Sequence, residues 1–341
     1  MAPPLTIARL HELLDGIRRL NVGVAGDFCL DAYWQLDAGP AEISSETGKP
    51  THAVTSQRYG PGGAANVADN LLALGVSSIR IFGVTGADLF GRELRHLLSL
   101  RGIPTKWLLE VDGWQTSVFA KPHAGTEEQS RIDFGRKNLL TEHWRQAFLD
   151  VLRRGIPGLD VLVVNQQLAR GVWCEELIHA LNAQASLHPA TLVLFDARHL
   201  ARHFRGMVCK INLQEASALL GERLDPGLEP AALELVARAV HEHTGKPVYL
   251  TLGDAGMAAF DGGGMHLIAP LPLRGPIDPV GAGDTASAAL ATALAAGASV
   301  EEAGHFASIA ASISIHKLRQ TGTATPGEIL RTAAALQSAT G

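Results

Sequence analysis

One segment in the C-terminal third of the chain combines glycines with carboxylates next to a helical pattern. It reads Asp-Pro-Val-Gly-Ala-Gly-Asp-Thr from Asp278 to Thr285, and an alanine-rich stretch follows it. Gly281 and Gly283 allow backbone N–H groups at a helix start to point inward, where unpaired donors and the helix dipole attract anions. The segment therefore predicts an anion hole, which suits the charge that develops on a phosphoryl group during its transfer.

Asp284 lies directly after the second glycine of this segment. At that position a carboxylate can accept the proton of a hydroxyl group that attacks phosphorus, which is the task of a general base. The alternative is that Asp284 caps the helix, a role that aspartate fills readily. Short glycine motifs often occur by chance, so the segment alone favours the cap, and further motifs are needed to favour the base.

A second glycine turn leads into a helical pattern near the N-terminus. Gly62 and Gly63 allow the close approach of a ligand, and Asn66 can offer both a donor and an acceptor to sugar hydroxyls. Asp27 and Asp31 follow the first predicted strand, at the edge where open α/β sheets bind ligands. As alternatives, Asp27 is a turn residue and Asn66 a helix cap. The five positions suit a ligand with paired hydroxyl groups, such as a sugar, although each alternative is plausible alone.

The elements that must position these residues follow a regular alternation. Helical periodicity, as in residues 63–74 and 231–243, alternates with short β-branched runs that begin near residues 21, 78, 160, 191 and 247. The runs are apolar nearly throughout, as strands buried on both faces must be. The pattern predicts the α/β class, with a doubly wound, mostly parallel sheet flanked by helices.

Two regions interrupt this alternation, at about residues 33–59 and 115–134. In both, apolar and polar residues alternate around turn residues, which predicts half-exposed antiparallel strands. Inserted into one domain of residues 1–341, these strands would form a small antiparallel β lid over the strand ends. Because exposed strand edges are usually covered, a homodimer through the lid strands is a further hypothesis.

The composition excludes several classes of partner. The chain has 29 basic and 34 acidic residues and a pI near 6.3, so no positive field is expected to attract nucleic acid or a membrane surface. Cys29, Cys174 and Cys209 form no C-x-x-C pair, as expected of a reduced compartment. Charges interrupt the N-terminal apolar positions, which predicts an amphipathic helix there and no signal peptide. We therefore expect a cytoplasmic protein.

The two glycine motifs resemble the two signatures of the ribokinase-like (PfkB) sugar kinases, in the same order and about two hundred residues apart. The resemblance covers nearly the whole chain. Between the motifs, the segment from Asn212 to Glu215 resembles the N-x-x-E element of that family. The segment from Thr251 to Gly256 resembles its nucleotide-binding T-x-G-x-x-G. Four motifs in order make the resemblance specific.

The resemblance implies an ATP-dependent sugar kinase with Asp284 as the base. It also implies a role for each matching position. The backbone of Gly281, Ala282 and Gly283 would form the anion hole, and the sugar would contact Asp27, Asp31, Gly62, Gly63 and Asn66. The nucleotide would contact Asn212, Thr251, Gly253, Gly256 and the helix near His305. Glu215 would order Mg²⁺ through water, and a monovalent cation such as K⁺ would bind near Asp278.

Within the family, the chain is most similar to the D-glycero-D-manno-heptose-7-phosphate kinases. The segments Arg131–Phe134 and Asp196–Arg198 carry part of this likeness. The lid segment of that subgroup is basic, whereas here the run from Lys121 to Glu128 reads KPHAGTEE. Because a sugar phosphate needs cationic partners, Lys121 and Arg131 are the expected substrate contacts in the lid.

Other functions remain open at this point. The same nucleotide half could serve a nucleoside or another small alcohol, because a fold does not fix its substrate. The chain could also be a catalytically silent, sugar-binding sensor. Lys210, two residues before the N-x-x-E element, is expected to be a solvated lysine.

Overall fold

The alternation of apolar runs and helical segments produces two β-sheets with helices around the larger one. The computed structural model describes residues 5–225, 227–273, 275–318 and 320–340. The strands are β1 (Asn21–Gly26), β2 (Phe28–Leu36), β3 (Val54–Gly63), β4 (Ser78–Gly86), β5 (Leu108–Val111), β6 (Ser117–Ala124), β7 (Glu127–Glu128), β8 (Ile132–Phe134), β9 (Val161–Gln166), β10 (Leu192–Ala197), β11 (Val208–Asn212), β12 (Val248–Thr251), β13 (Met257–Phe260) and β14 (Met265–Ile268). The helices are α1 (Ile7–Ile17), α2 (Ala64–Leu74), α3 (Leu89–Leu100), α4 (Glu142–Gly155), α5 (Glu175–Leu187), α6 (Leu213–Leu220), α7 (Pro230–Thr244), α8 (Ala282–Ala295), α9 (Val300–Ser314) and α10 (Pro326–Thr340).

The larger sheet has the strand order β14-β13-β12-β11-β10-β9-β1-β4-β5. Neighbours from β12 to β5 pair in parallel, and β13 and β14 continue the sheet as an antiparallel hairpin. Every residue of β9 is buried, as expected of a strand covered on both faces. The predicted mostly parallel, doubly wound sheet is confirmed.

Two hydrophobic layers cover the faces of this sheet. Val161 and Val163 of β9 join the layer that includes α2, α8 and α9, whereas Leu162 and Val164 join the layer that includes α4, α5 and α7. Successive strand side chains point to opposite faces, so one strand contributes to both layers. Each fully buried side chain of this size contributes about 1.5–3 kcal/mol to stability.

Helix α8 lies in the centre of the first layer. Its residues from Thr285 to Ala293 are all buried, and most are alanine, serine or threonine. Small side chains permit close approach of neighbouring helices, and α8 contacts α2 and α9. The first turn of α8 therefore continues directly into a buried helix rather than lying on a loop.

Within the described ranges, no helix is long and apolar enough to cross a membrane.

The smaller sheet contains the strands of the two interrupting regions. Its order is β3-β2-β6-β7, and β8 pairs with the other side of β6. All of these pairs are antiparallel except β2 with β6, which is parallel, so the sheet is mixed where the sequence suggested antiparallel strands only. The first region begins earlier than expected, at Phe28, and residues 37–53 form a connection with a β-bridge between Ile43 and Pro50.

Candidate active site

Asp284 lies in the first turn of α8 and receives two side-chain amides. Its Oδ2 accepts a hydrogen bond of 2.7 Å from Asn66 Nδ2, and its Oδ1 accepts one of 3.4 Å from Asn165 Nδ2. Asn66 lies in the first turn of α2, and Asn165 lies near the carboxyl end of β9. The two glycine motifs, which are far apart in the sequence, therefore meet at this carboxylate.

The pKa of the Asp284 carboxyl is raised to about 7, mainly because burial disfavours its charged form. The hydrogen bond from Asn66 acts in the opposite direction, as does the positive charge of Lys210, while the negative charges of Asp196 and Asp31 add to the rise. A pKa near neutrality lets the carboxyl exchange a proton under physiological conditions, as a general base must.

Glycine is required where the backbone turns into α8. Gly281 has a φ of 83°, and a β-carbon there would lie 2.8 Å from Asn66 Nδ2. The N–H of Ala282 donates to the carbonyl of Pro279, whereas the first helical bond runs from Thr285 N to Gly281 O. The N–H groups of Gly283 and Asp284 thus precede the helical ladder, and helix geometry leaves them available to an anion.

Lys210 is buried beside this turn, which corrects the expectation of a solvated lysine. It is only 6% exposed, and its Nζ lies 2.7 Å from Asp196 Oδ2. The two residues are register partners on the adjacent parallel strands β10 and β11. A β-carbon at Gly283 would lie 3.1 Å from the ammonium, so Lys210 places a positive charge against the start of α8.

The Asp196 carboxylate is held from two sides. Ser287 of α8 donates to the same Oδ2 at 2.8 Å, in addition to Lys210. Burial lowers the pKa of the Lys210 ammonium, but the carboxylates of Asp196 and Glu215 outweigh this effect, and the pKa is raised. Lys210 is therefore a fixed cation at neutral pH.

Asp31 of β2 and Lys121 of β6 form a buried ion pair on the smaller sheet. Lys121 Nζ lies 3.2 Å from Asp31 Oδ1 and 3.4 Å from the Tyr33 hydroxyl. Burial raises the pKa of Asp31, and the charge of Lys121 opposes this rise. A β-carbon at Gly62 would lie 3.3 Å from the Asp31 carboxyl, so a glycine leaves room beside it. Asp31, Lys121 and Gly62 are thus brought together as one polar surface.

Asp27 has a different environment from the expected sugar contact. Its Oδ2 accepts from the N–H groups of Gln167 and Leu168 at 2.8 and 2.9 Å, and its Oδ1 accepts from Val172 N at 2.8 Å. Burial raises its pKa to about 6, against the effect of these bonds. A carboxylate with both oxygens bound to one loop fixes that loop in place, which is the contact that the structure shows for Asp27.

Gly63 and Arg131 have different surroundings. Gly63 has a φ of 55°, and a β-carbon there would lie 2.5 Å from the Asp27 carbonyl, so only glycine suits this helix start. Arg131 is half exposed, pairs with Asp133 at 2.7 Å, and lies 4.8 Å over the Phe119 ring. Its charge is therefore engaged at the surface of the lid, outside the cluster around Asp284.

A largely apolar cavity of about 460 Å³ opens beside the first turn of α8. Its lining includes the predicted nucleotide residues Thr251, Gly253 and Gly256, together with Ala282 and Gly283. Across the cavity, α9 contributes Ala307, Ser308, Ala311 and Ser312 to the lining. The described residues that line the cavity do not include His305. The cavity combines apolar walls for a flat base with helix N–H groups for phosphate, so it fits a nucleotide.

Asn212 and Glu215 form a reciprocal capping box at the start of α6. Asn212 Oδ1 accepts from Glu215 N at 2.9 Å, and Glu215 Oε2 accepts from Asn212 N at 2.8 Å. Burial raises the pKa of Glu215. Asn212 also lines a second cavity of about 430 Å³ that shares Thr251 with the first. Asn212 therefore lies at a cavity that shares a residue with the first, and the two side chains together cap the start of α6.

Glu215 and Asp278 were the residues expected to lie near bound cations. Among the described residues, no group of three or more His, Cys, Asp or Glu side chains could hold a metal ion. Asp278 accepts a 3.1 Å bond from Val280 N and its own N–H donates to Ile315 O, so it shapes the turn before α8. A magnesium ion near Glu215 would be bound mainly by water and phosphate, which is the usual coordination of this hydrated cation.

Asn165, Asp196 and Lys210 were not predicted as site residues. Each lies at or near the carboxyl end of a parallel strand, where ligands bind in this class of fold. Polar residues at the ends of apolar runs, as in Val161–Gln166 and Leu192–Ala197, are the signal that could have found Asn165 and Asp196.

Comparison with known proteins yields one family and a group of curated relatives. Residues 35–326 match the profile described as pfkB family carbohydrate kinase. The bifunctional protein HldE of Trichlorobacter lovleyi is 31% identical over 323 residues, which cover 94% of this chain and 64% of that protein. HldE of Halorhodospira halophila is 32% identical over 319 residues, covering 93% and 64%. The chain thus spans a little under two thirds of these relatives.

Solved structures show the same fold. Phosphofructokinase-2 from Escherichia coli, in complex with substrates and products, has a TM-score of 0.72 and 22% identity, covering 93% of this chain and 99% of that one. Arabidopsis thaliana ribokinase, complexed with ribose and ATP, has a TM-score of 0.68 and 18% identity, covering 92% and 98%. The arrangement of the two sheets is therefore shared with sugar kinases of distant sequence.

Proposed function

The chain belongs to the pfkB family of carbohydrate kinases, and from that premise we propose that it transfers the γ-phosphoryl group of ATP to a hydroxyl of a sugar or sugar phosphate. One observation carries the proposal. Asp284, with a pKa near 7, directly follows Gly283, which lines the apolar cavity, and lies close enough to Asp31 for that carboxylate to raise its pKa. The same turn offers N–H groups and a buried lysine to a transferred anion.

In the proposed reaction, Asp284 accepts the proton of the acceptor hydroxyl while the oxygen forms its bond to phosphorus. The bond between phosphorus and the bridging oxygen breaks, and ADP leaves with that electron pair. The N–H group of Gly283 and the ammonium of Lys210 stabilise the charge on the transferred group. Asn66 and Asn165 hold the carboxylate.

Thr251, Gly253, Gly256 and Asn212 would hold the nucleotide, because they line two cavities that share Thr251. Glu215 would order Mg²⁺ through water, and Asp278 lies where a monovalent cation such as K⁺ would act on the turn. Bound Mg²⁺ would supply charge neutralisation for the phosphates. These assignments rest on the resemblance of the motifs and on the position of each residue near the cavities.

The acceptor is proposed to be an extended sugar. A cavity of about 390 Å³ is lined by Tyr33, whose hydroxyl contacts Lys121, and also by Arg58 and His123. The Arg58 guanidinium lies 4.2 Å over the Tyr33 ring and places a cation at this cavity. Arg58 and His123 line this cavity, so we propose that they meet a distal anionic group of the acceptor. The resemblance to the heptose-7-phosphate kinases favours a phosphorylated heptose.

A coupled measurement of ADP release tests this function. We expect turnover with ATP, Mg²⁺ and a sugar or sugar phosphate from a panel that includes heptose phosphates, hexose phosphates, free sugars and nucleosides. A preference for nucleosides would support the alternative acceptor class. Absence of ADP release with every acceptor, from a folded protein that binds ATP, would contradict the kinase and favour a sugar-binding sensor.

The pKa of Asp284 predicts how the rate depends on pH. The base acts in its ionised form, so kcat/KM should rise about tenfold per pH unit below pH 7 and level off above it. The measurement is kcat/KM for the acceptor from pH 5.5 to 9 at saturating MgATP. A rate that is flat through pH 7, with binding unchanged, would show that another group takes the proton.

The lid also suggests an assembly. Strand β3 lies at the edge of the smaller sheet, and Val54 to Arg58 are exposed along it. We propose a homodimer through this edge, which light scattering at working concentration tests directly, since a monomer mass would exclude it. We also propose a cytoplasmic location, in keeping with the ATP that the reaction needs.

A further inference from the structure

Three asparagines and Asp284 form one chain of contacts at the centre of the site. Asn70, one helical turn after Asn66, donates from Nδ2 to the Asn66 carbonyl at 2.9 Å and to Asn66 Oδ1 at 3.3 Å. Asn66 in turn donates to Asp284 Oδ2, and Asn165 donates to Oδ1. Asn66 and Asn165 are 0% exposed and Asn70 is 1% exposed. The Nδ2 atoms of Asn66 and Asn165 thus face Asp284, and the Nδ2 atom of Asn70 faces Asn66.

The direction of these amides leaves two acceptors without donors. Asn70 Oδ1 and Asn165 Oδ1 are buried, and no donor among the described residues reaches either oxygen. A buried acceptor without a partner is unfavourable, and an apolar side chain would fill the same space without that cost. The amides are thus explained by what their nitrogens contact rather than by packing.

Asn70 decides which end of the Asn66 amide faces the base. Turning that amide by 180° would place Asn66 Oδ1 against Asp284 Oδ2, two acceptors in contact. The same rotation would place Asn66 Nδ2 against the donor of Asn70. Both contacts are repulsive, so Asn70 fixes Asn66 with its donor toward the carboxylate.

We propose that Asn70 and Asn165 are positioning residues that fix the orientation and the charge of the Asp284 carboxylate. Donors on both carboxylate oxygens favour the ionised form that accepts the proton. The other groups that act on Asp284 are Asp31 from β2, Asp196 from β10 and Lys210 from β11. Cys29 of β2 is a fourth neighbour, and burial raises the pKa of its thiol, so it stays neutral. This proposal deepens the proposed function and rests on it.

The test is a carboxyl titration of Asp284 by ¹³C NMR in the protein without substrates, with the resonance assigned by its loss in Asp284→Asn. The variants are Asn70→Leu and Asn165→Leu. Asn182→Leu is the control, because Asn182 on α5 also makes two hydrogen bonds, to His203 O and from Arg205 N, in the opposite layer. We expect the midpoint to rise by about one pH unit in each test variant and to stay unchanged in the control.

The pH at which kcat/KM reaches half its plateau should move upward with the carboxyl midpoint, while the KM for ATP stays the same. Asn70→Ala and Asn165→Ala replace the leucine variants if either of those fails to fold. Midpoints equal to that of the wild type in folded variants would overturn the proposal. Because the titration needs no turnover, a wild-type protein without kinase activity would count against the proposed function alone.

Discussion

Replacing Asp284 with asparagine should lower kcat by a factor of about 10²–10⁴, the usual contribution of a general base. Asparagine keeps the size of the side chain and accepts a bond from Asn66, but it takes no proton at neutral pH. ADP release with the best acceptor measures the effect. Asp261→Asn is the matched control, because that carboxylate lies in the exposed turn after β13 and contacts the N–H of Gly263. A variant with wild-type turnover would show that Asp284 is not the base.

The same replacement should raise the stability of the fold, relative to that of the wild type, as the pH increases. A carboxyl whose folded pKa is raised from 3.8 to about 7 binds more protons in the folded state, so the wild type loses stability as pH rises between these values. Asparagine has no such titration. The Tm of Asp284→Asn relative to the wild type should therefore increase from pH 4 to pH 7 and stay constant above. A constant difference across that range would contradict the raised pKa.

Replacing Lys210 with methionine should affect both stability and rate. Removing one partner of the buried pair leaves the Asp196 carboxylate without its cation, at an expected cost of about 3–5 kcal/mol in the free energy of unfolding. The lost positive charge beside Gly283 should also lower kcat by a factor of about 10²–10³. Urea denaturation and ADP release measure these two quantities.

A double variant separates the structural from the catalytic part of this effect. Lys210→Met combined with Asp196→Leu removes both charges, and a buried ion pair replaced by apolar groups often costs little stability. Ser287 keeps its 3.0 Å bond to the Gly283 carbonyl after Asp196 is lost. We expect the double variant to regain most of its stability and none of its activity. Recovery of the rate as well would mean that Lys210 serves the fold alone.

The sequence predicted the scaffold well because its signals are local. The apolar runs near residues 21, 160 and 191 became β1, β9 and β10, and the glycine turns became the starts of α2 and α8. Positions of Asp284 and Asn66 could be predicted from the same motifs, because a glycine followed by a helix fixes where the next polar side chain lies. Their mutual contact at 2.7 Å depends on tertiary packing and was not predicted.

Side chains whose roles depend on distant partners could not be predicted. Lys210 has no polar neighbour in sequence that indicates burial, since its partner Asp196 lies on another strand. Asp27 is of a residue type that often contacts ligands, but its carboxylate accepts hydrogen bonds from backbone N–H groups of the loop at Gln167. His305 is in the helix that lines the cavity, but the lining residues of that helix nearest to it are Ala307 and Ser308. The step of two residues from His305 to Ala307 corresponds to about 200° of helical rotation.

The division between the two sheets has a consequence for how such a protein could acquire new substrates. The proposed base and the helix start belong to α8, whose residues from Thr285 to Ala293 are buried, whereas Asp31, Lys121 and Arg58 belong to the smaller sheet. Substitutions in the buried part of α8 would disturb the chemistry and the stability together. Substitutions along β3 and β6 would mainly change which acceptor is selected, whereas a change at Asp31 would also alter the pKa of Asp284. An engineer seeking a different acceptor should therefore diversify the lid and leave the helix untouched.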